Sequence, residues 1–207
     1  MSTRIAAIIL AAGTASRMGA NKLLLPFDGT PMLNHAIDAA LYSQVCRTVV
    51  VAGHNSAAII RLCSEYTTHI AHNPNYAAGM ASSIRVGIDA LPADVDAALI
   101  MLGDMPYVTA MEVDRLIDAH RAAPASICVP QYRGRRGNPL LWPRRFFPAL
   151  QQLEGDTGAR SLLTDFAEHV QLVDFDSPAV LLDCDTPETF QTPAPPDFQR
   201  FAQSKRY

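Results

Sequence analysis

Lysine is almost missing from this sequence. Of its 17 basic residues only Lys22 and Lys205 are lysine and the rest are arginine. A lysine kept at position 22 therefore points to a need for a compact ammonium there, since ammonium and guanidinium differ in hydration and reach. A large excess of either charge is missing as well: the formal net charge is -3 and the pI about 6.0, which gives no overall attraction for nucleic acid or for an anionic membrane. Cysteine is limited to Cys46, Cys63, Cys128 and Cys184. With no Cys-x-x-Cys pair among them, neither zinc-cage spacing nor a disulfide framework is present, and a reducing cytoplasm is the expected compartment. The six histidines show no metal-ligand spacing either. Long apolar runs are also missing. The first one ends in small residues and glycine, too short for a membrane span and without the layout of a signal peptide.

What is present is an ordinary globular composition, 49% hydrophobic and 18% charged over 207 residues, enough for a sizeable core. A single domain over 1–192 with a tail over 193–207, proline-rich at first, is expected, with no internal repeat and no linker that would split it. Apolar runs of strand length alternate with amphipathic stretches of helical length. That alternation predicts an α/β fold, a three-layer Rossmann-like and mostly parallel sheet with helices on both faces. Strands are expected over 5–10, 49–52, 68–71, 97–102, 126–129, 170–173 and 180–182. Helices are expected from Thr30-Pro31 onward, where threonine can cap and proline suits the first turn, and over 56–66, 81–90, 109–122 and 146–153, with a short last one at Thr186-Pro187. The run over 97–102 carries no polar residue and should lie centrally.

The main chemical signal follows the first strand: Leu10-Ala-Ala-Gly-Thr-Ala-Ser-Arg-Met-Gly-Ala-Asn-Lys-Leu-Leu-Leu-Pro. Small residues let the backbone approach a ligand, amides can face phosphate oxygens, and Arg17 and Lys22 add charge where a polyphosphate would sit. Neither the Walker pattern nor the dinucleotide G-x-G-x-x-G fingerprint occurs in it. The alternative is a surface loop with two solvated cations. Two acidic sites follow apolar runs, Leu102-Gly-Asp-Met-Pro and Leu182-Asp-Cys-Asp-Thr-Pro. Asp104 is either a turn residue or a magnesium ligand at the sheet edge where ligands bind. Alternation along an extended chain puts Asp183 and Asp185 on one side and Cys184 on the other, as packing. Asp185 is either a helix cap or a second metal ligand.

The loop resembles the signature of the nucleotidyltransferases of molybdenum cofactor biosynthesis, the cytidylyltransferases and the molybdopterin-guanine dinucleotide synthases. Five motifs in the family's order, from Ile5 to Glu188, carry that resemblance. It implies phosphate binding by Gly13, Arg17 and Lys22, with Leu10, Ala11 and Ala12 alongside, and a magnesium ion held by Asp104 and Asp185. Asn73-Pro-Asn-Tyr-Ala-Ala-Gly-Met-Ala-Ser-Ser is similar to the segment that approaches the base, which implies Gly79 and Ser83 as base contacts. Tyr132-Arg-Gly-Arg-Arg-Gly-Asn-Pro is similar to the family's Gly-x-x-Gly-His-Pro, with Asn138 where histidine is usual, and Gly155-Asp-Thr-Gly-Ala-Arg also matches. Asn138 and Arg160 are thereby implied in acceptor binding.

Ala15 replaces a frequent serine, with Ser16 next to it. Guanylyl-transferring relatives read Leu-Ala-Gly-Gly where this chain has Leu-Ala-Ala-Gly. A methyl at Ala12 crowds a purine more than a pyrimidine, so CTP is expected ahead of GTP. The reaction implied is attack of the phosphate of molybdenum-loaded molybdopterin on the α-phosphorus of CTP, with Arg17, Lys22 and Asp104 catalytic and a molybdenum hydroxylase, or its maturation machinery, as partner. Guanylyl transfer, a sugar- or polyol-phosphate acceptor, and a non-catalytic cofactor chaperone remain the alternatives.

Overall fold

A computed structural model describes residues 3–13 and 21–184. Arg17, Asp185, the helix expected at Thr186-Pro187 and the tail over 193–207 lie outside the described residues. The strands are β1 (Ile5–Ala11), β2 (Pro26–Phe27), β3 (Thr30–Pro31), β4 (Arg47–Ala52), β5 (His69–His72), β6 (Ala97–Leu102), β7 (Ile127–Tyr132), β8 (Arg135–Arg136), β9 (Leu140–Pro143) and β10 (Val170–Asp174). The helices are α1 (Met32–Leu41), α2 (Ser56–Cys63), α3 (Met80–Asp89), α4 (Ala110–Ala122) and α5 (Phe147–Gln151).

The main sheet runs β10-β7-β9-β6-β1-β4-β5, with β8 hydrogen-bonded to β7. β9 is antiparallel to both its neighbours, β6 and β7, while the other pairs on that path are parallel. β6 sits in the middle, as its unbroken apolar run predicts. Ile5, Ala7, Ile9 and Ala11 of β1 face one side with the buried residues of α1, α2 and α4. Ile8 and Ala12 face the other with those of α3 and α5, which makes the three layers expected from the alternation. α3 comes so near the sheet that a Cβ at Gly87 would collide with Ile8 Cγ2.

The chain goes from β1 outward through β4 to β5, then returns to lay β6 on β1's other side. That reversal opens a crevice at the carboxyl ends of β1 and β6, where open α/β sheets bind ligands. Leu10 pairs with Leu102 at those ends, and the Gly103 amide extends the ladder by donating to the Leu10 carbonyl at 3.1 Å.

Local expectations needed correction in several places, among them the strand expected over 126–129, which runs on to Tyr132. A helix does open at Thr30-Pro31, with Pro31 as the N-cap residue of α1, but Thr30 does not cap it: the dipeptide also pairs with Pro26–Phe27 as a small antiparallel ribbon, and the Thr30 hydroxyl meets His35 Nε2 at 3.1 Å. Residues 180–182 are no strand; Ser177 accepts from the Ala179 amide and Pro178 follows, so the apolar run coils as a 3-10 turn over Pro178–Leu181. α2 ends at Cys63 rather than at 66. The helix expected over 146–153 is a 3-10 turn over Arg144–Phe146 followed by the shorter α5. Leu140–Pro143, given no structure from sequence, is a buried strand, with Leu140 and Trp142 on one face and Leu141 on the other. By contrast, Thr109 opens α4 as expected: its hydroxyl accepts from the Met111 amide at 3.3 Å, and Glu112 Oε2 accepts from the Thr109 amide at 2.9 Å.

Candidate active site

Past β1 the described chain resumes at Asn21, whose side-chain Oδ1 accepts from the Leu23 amide at 3.2 Å and starts a 3-10 turn over Lys22–Leu24. Leu23 is buried in the core beneath α1, and it passes so close to Gly103 that a Cβ there would lie 3.4 Å from its Cδ1. Burying Leu23 thus sets its neighbour Lys22 beside the residue that follows Gly103. Lys22 Nζ meets Asp104 Oδ2 at 2.6 Å. The two side chains are 22% and 19% exposed, so the pair is drawn partly out of water, where its attraction is screened less than on an open surface. Cys184 is buried in the core, as packing, and its amide donates to the Asp104 carbonyl at 3.0 Å. The described chain therefore ends against Asp104, one residue before Asp185.

This pair lies on the wall of a cavity of about 590 Å³ at the β1–β6 edge, shared with Leu10, Ala12, Gly13, Tyr76, Gly79, Met80, Ser83 and Asp156. Of the phosphate-loop residues expected there, Leu10, Ala12, Gly13 and Lys22 are present. Ala11 is not; its side chain is buried in the core on the α1 face. Ala12 is 2% exposed and its methyl lies against Gly53, where a Cβ would come within 2.7 Å of it.

Gly79 and Ser83 are brought to the same wall by a buried asparagine. Asn73, 1% exposed, accepts from the Asn75 amide at 2.9 Å and donates to the hydroxyls of Ser82 and Ser83 at 2.8 and 3.0 Å. Gly79 has φ +100°, and a Cβ on it would run into the backbone of Gly155 and Asp156, so glycine is needed on both conformational and steric grounds. The Met80 amide donates to Asp156 Oδ1 at 3.3 Å and the Ala81 amide to the Gly155 carbonyl at 3.2 Å. The first turn of α3 is thus capped by the Gly155-Asp156 segment.

Asn138 and Arg160 line a second cavity of about 210 Å³. The two cavities share Leu10, Met80 and Leu102, so they adjoin. Asn138 is fixed through its backbone N–H, which donates to the Val180 carbonyl at 2.8 Å, and Arg160 donates to the Arg136 carbonyl at 3.2 Å. Asn21, Asp156, Tyr76 and Met80 were not singled out from sequence. Asn21 had one available signal, an asparagine directly before a structured turn; Asp156 had its place in a Gly-Asp-Thr-Gly turn. Cys63 and Cys128 lie elsewhere. Burial pushes their thiols up to about 11 and about 12, which suits packing and not thiolate chemistry.

A mostly parallel sheet with helices on both faces and a glycine loop at its carboxyl edge places the molecule in the fold class of the nucleotide-diphospho-sugar transferases. Within that class the chain belongs to the MobA-like NTP transferase domain family, whose model matches residues 7–172. It is 31% identical over 187 residues to the molybdenum cofactor cytidylyltransferase of Escherichia coli (strain K12), covering 89% of this chain and 93% of that one. It is also 31% identical over 192 residues to nicotine blue oxidoreductase of Paenarthrobacter nicotinovorans, with the same coverage. The crystal structure of Rv0371c from Mycobacterium tuberculosis H37Rv superposes with a TM-score of 0.80 at 27% identity, covering 98% of this chain and all of that one. The manganese complex of the same protein does so with a TM-score of 0.76, covering 91% and 97%.

Proposed function

We propose that this nucleotidyltransferase moves CMP from CTP to molybdenum-loaded molybdopterin, forming molybdopterin cytosine dinucleotide and releasing pyrophosphate. The observation that carries the reading is the Lys22–Asp104 pair at 2.6 Å, seated on a cavity that adjoins a second one bearing Asn138 and Arg160. One cavity suits a nucleotide and its neighbour an acceptor, with the reacting groups meeting near Leu10, Met80 and Leu102. The 31% identity to a molybdenum cofactor cytidylyltransferase supports the choice of substrates.

The acceptor's phosphate oxygen attacks the α-phosphorus in line, a bond to the α-phosphorus forms, and the bond from that phosphorus to the β-bridging oxygen breaks. An ionised phosphate needs no general base, so positioning and charge neutralisation carry the reaction. Lys22, with Arg17, takes up charge on the departing pyrophosphate. Ser83 already accepts from Asn73 and keeps its own proton to donate to a pyrimidine oxygen. Alanine rather than glycine at Ala12, on the cavity wall, favours the smaller base. Asn138 and Arg160 bind the acceptor.

Magnesium is the proposed ion, with Asp104 and Asp185 to hold it. The Asp104 carboxylate offers hard oxygens on the cavity wall and already lies against a cation, and a manganese complex of a relative at 27% identity supports a divalent site. When bound, the ion neutralises phosphate charge. A molybdenum hydroxylase, or its maturation machinery, is the proposed recipient and the cytoplasm the proposed compartment. Among the described residues no helix is long and apolar enough to cross a membrane.

The equal identity to an oxidoreductase raises oxidation–reduction as a second reading. The loop after β1 carries no G-x-G-x-x-G fingerprint for a dinucleotide, and a Lys–Asp pair suits polyphosphate better. Parallel incubations of CTP and Mg²⁺ with loaded molybdopterin, a sugar phosphate or a polyol phosphate test the acceptor. Pyrophosphate should appear with the pterin; release with a sugar or polyol phosphate alone would replace this acceptor.

A further inference from the structure

Six buried side-chain polar atoms have no hydrogen-bond partner among the described residues: those of Asn21, Asn34, Thr48, Thr68, His120 and Trp142. Asn21 alone of these residues lines the larger cavity. It is 7% exposed, and its orientation is fixed from one end, because Oδ1 accepts from the Leu23 amide at 3.2 Å. The other end, the Nδ2 group, therefore carries two N–H donors that are shielded from water and have no partner among the described residues. Buried amide donors are almost always satisfied in folded proteins, and one that is not calls for an explanation in function or in a missing partner. Position supplies the explanation. The residue directly follows the glycine-bearing loop and directly precedes Lys22, whose ammonium meets Asp104 on the same cavity wall.

We propose that the Asn21 side-chain amide is a positioning donor for the nucleotide, giving a hydrogen bond to a phosphate oxygen of the triphosphate. The assignment rests on the nucleotidyltransferase reading above and adds to it a residue with two separable duties. Oδ1 builds the turn that presents Lys22; Nδ2 bonds the ligand. A neutral donor beside an ammonium adds direction to the ammonium's unoriented charge, which is how a flexible polyphosphate is held in the extended form that in-line attack requires.

The two duties are separated by Asn21→Ser. Serine caps a first turn through its hydroxyl oxygen, as asparagine does, but has nothing in the place of Nδ2. Asn21→Asp also keeps the cap and turns the donor into an acceptor. Calorimetric titration of the wild type and both variants with CTP, CMP and cytidine in MgCl₂, with thermal unfolding alongside, tests the role. CTP affinity should fall about tenfold in Asn21→Ser and further in Asn21→Asp, the loss should shrink as phosphates are removed, and cytidine binding should be unchanged, while the unfolding temperature of Asn21→Ser stays level or rises. Unaltered CTP affinity in Asn21→Ser overturns the role, as does a lowered unfolding temperature with affinity intact, which would make Asn21 a turn residue only. Failure of the wild type to bind CTP and other nucleoside triphosphates would overturn the functional reading together with this assignment.

Discussion

Lys22 and Asp104 come from turns 82 residues apart and meet at 2.6 Å, so each shields the other's charge inside a partly buried wall. Removing either leaves the other poorly solvated, which costs stability as well as activity. Asp104→Ala is expected to lower pyrophosphate release by about a hundredfold or more, in the range of losing an electrostatic stabiliser. Lys22→Arg should not restore the loss seen in Lys22→Ala, because the planar guanidinium does not occupy the place of a compact ammonium against the carboxylate. Steady-state rates with circular dichroism as a folding control check both; full activity in Lys22→Arg would deny that position its special chemistry. These two residues were legible from the sequence because lysine is rare in it and because Asp104 follows an apolar strand. Asn21 and Asp156 were not, since their importance is a matter of what surrounds them: one is buried against the cavity, and the other reaches α3's first turn from 76 residues away.

Elements built on long, regular patterns could be read directly, and those built on contacts could not. β1, β6, α3 and α4 fall within a residue or so of their expected bounds because apolar periodicity and the Thr109 cap decide them. β9 escaped notice because four residues ending in proline carry no period of their own and become a strand only between β6 and β7. Residues 178–181 went the other way, coiled by Ser177 and Pro178 against their apolar look.

α4 also carries a titratable group inside the core. His120 is 1% exposed, and burial pulls its pKa below the ordinary histidine value, partly opposed by the Ser126 backbone and Asp96. The unfolded chain takes up a proton near pH 6.5 that the folded one refuses, so this contribution to stability is full above that pH and is lost as the pH falls below it. The slope from one such group is at most about 1.4 kcal/mol per pH unit. His120→Leu should flatten it: urea midpoints at pH 7.5 and 5.5 should differ less in the variant than in the wild type. An equal difference in both would place the titration elsewhere.

At the scale of the whole molecule, strand order does what no single residue can. The reversal between β1 and β6 opens the crevice, the register of Leu10 with Leu102 aligns the two loops that leave it, and the second cavity adjoins the first across the same pair of leucines. The alternating pattern announced an α/β sheet but gave no strand order, so the meeting of Lys22 with Asp104 followed from the family resemblance and not from periodicity. Nucleotidyl transfer at that edge is the central claim, and the most direct test is pyrophosphate release from CTP, GTP, ATP and UTP in competition, with Mg²⁺ and molybdenum-loaded molybdopterin. Release should be fastest from CTP and should produce the cytosine dinucleotide. Preference for a purine nucleotide would contradict the base selectivity argued from Ala12, and absence of release from all four would contradict the reaction itself.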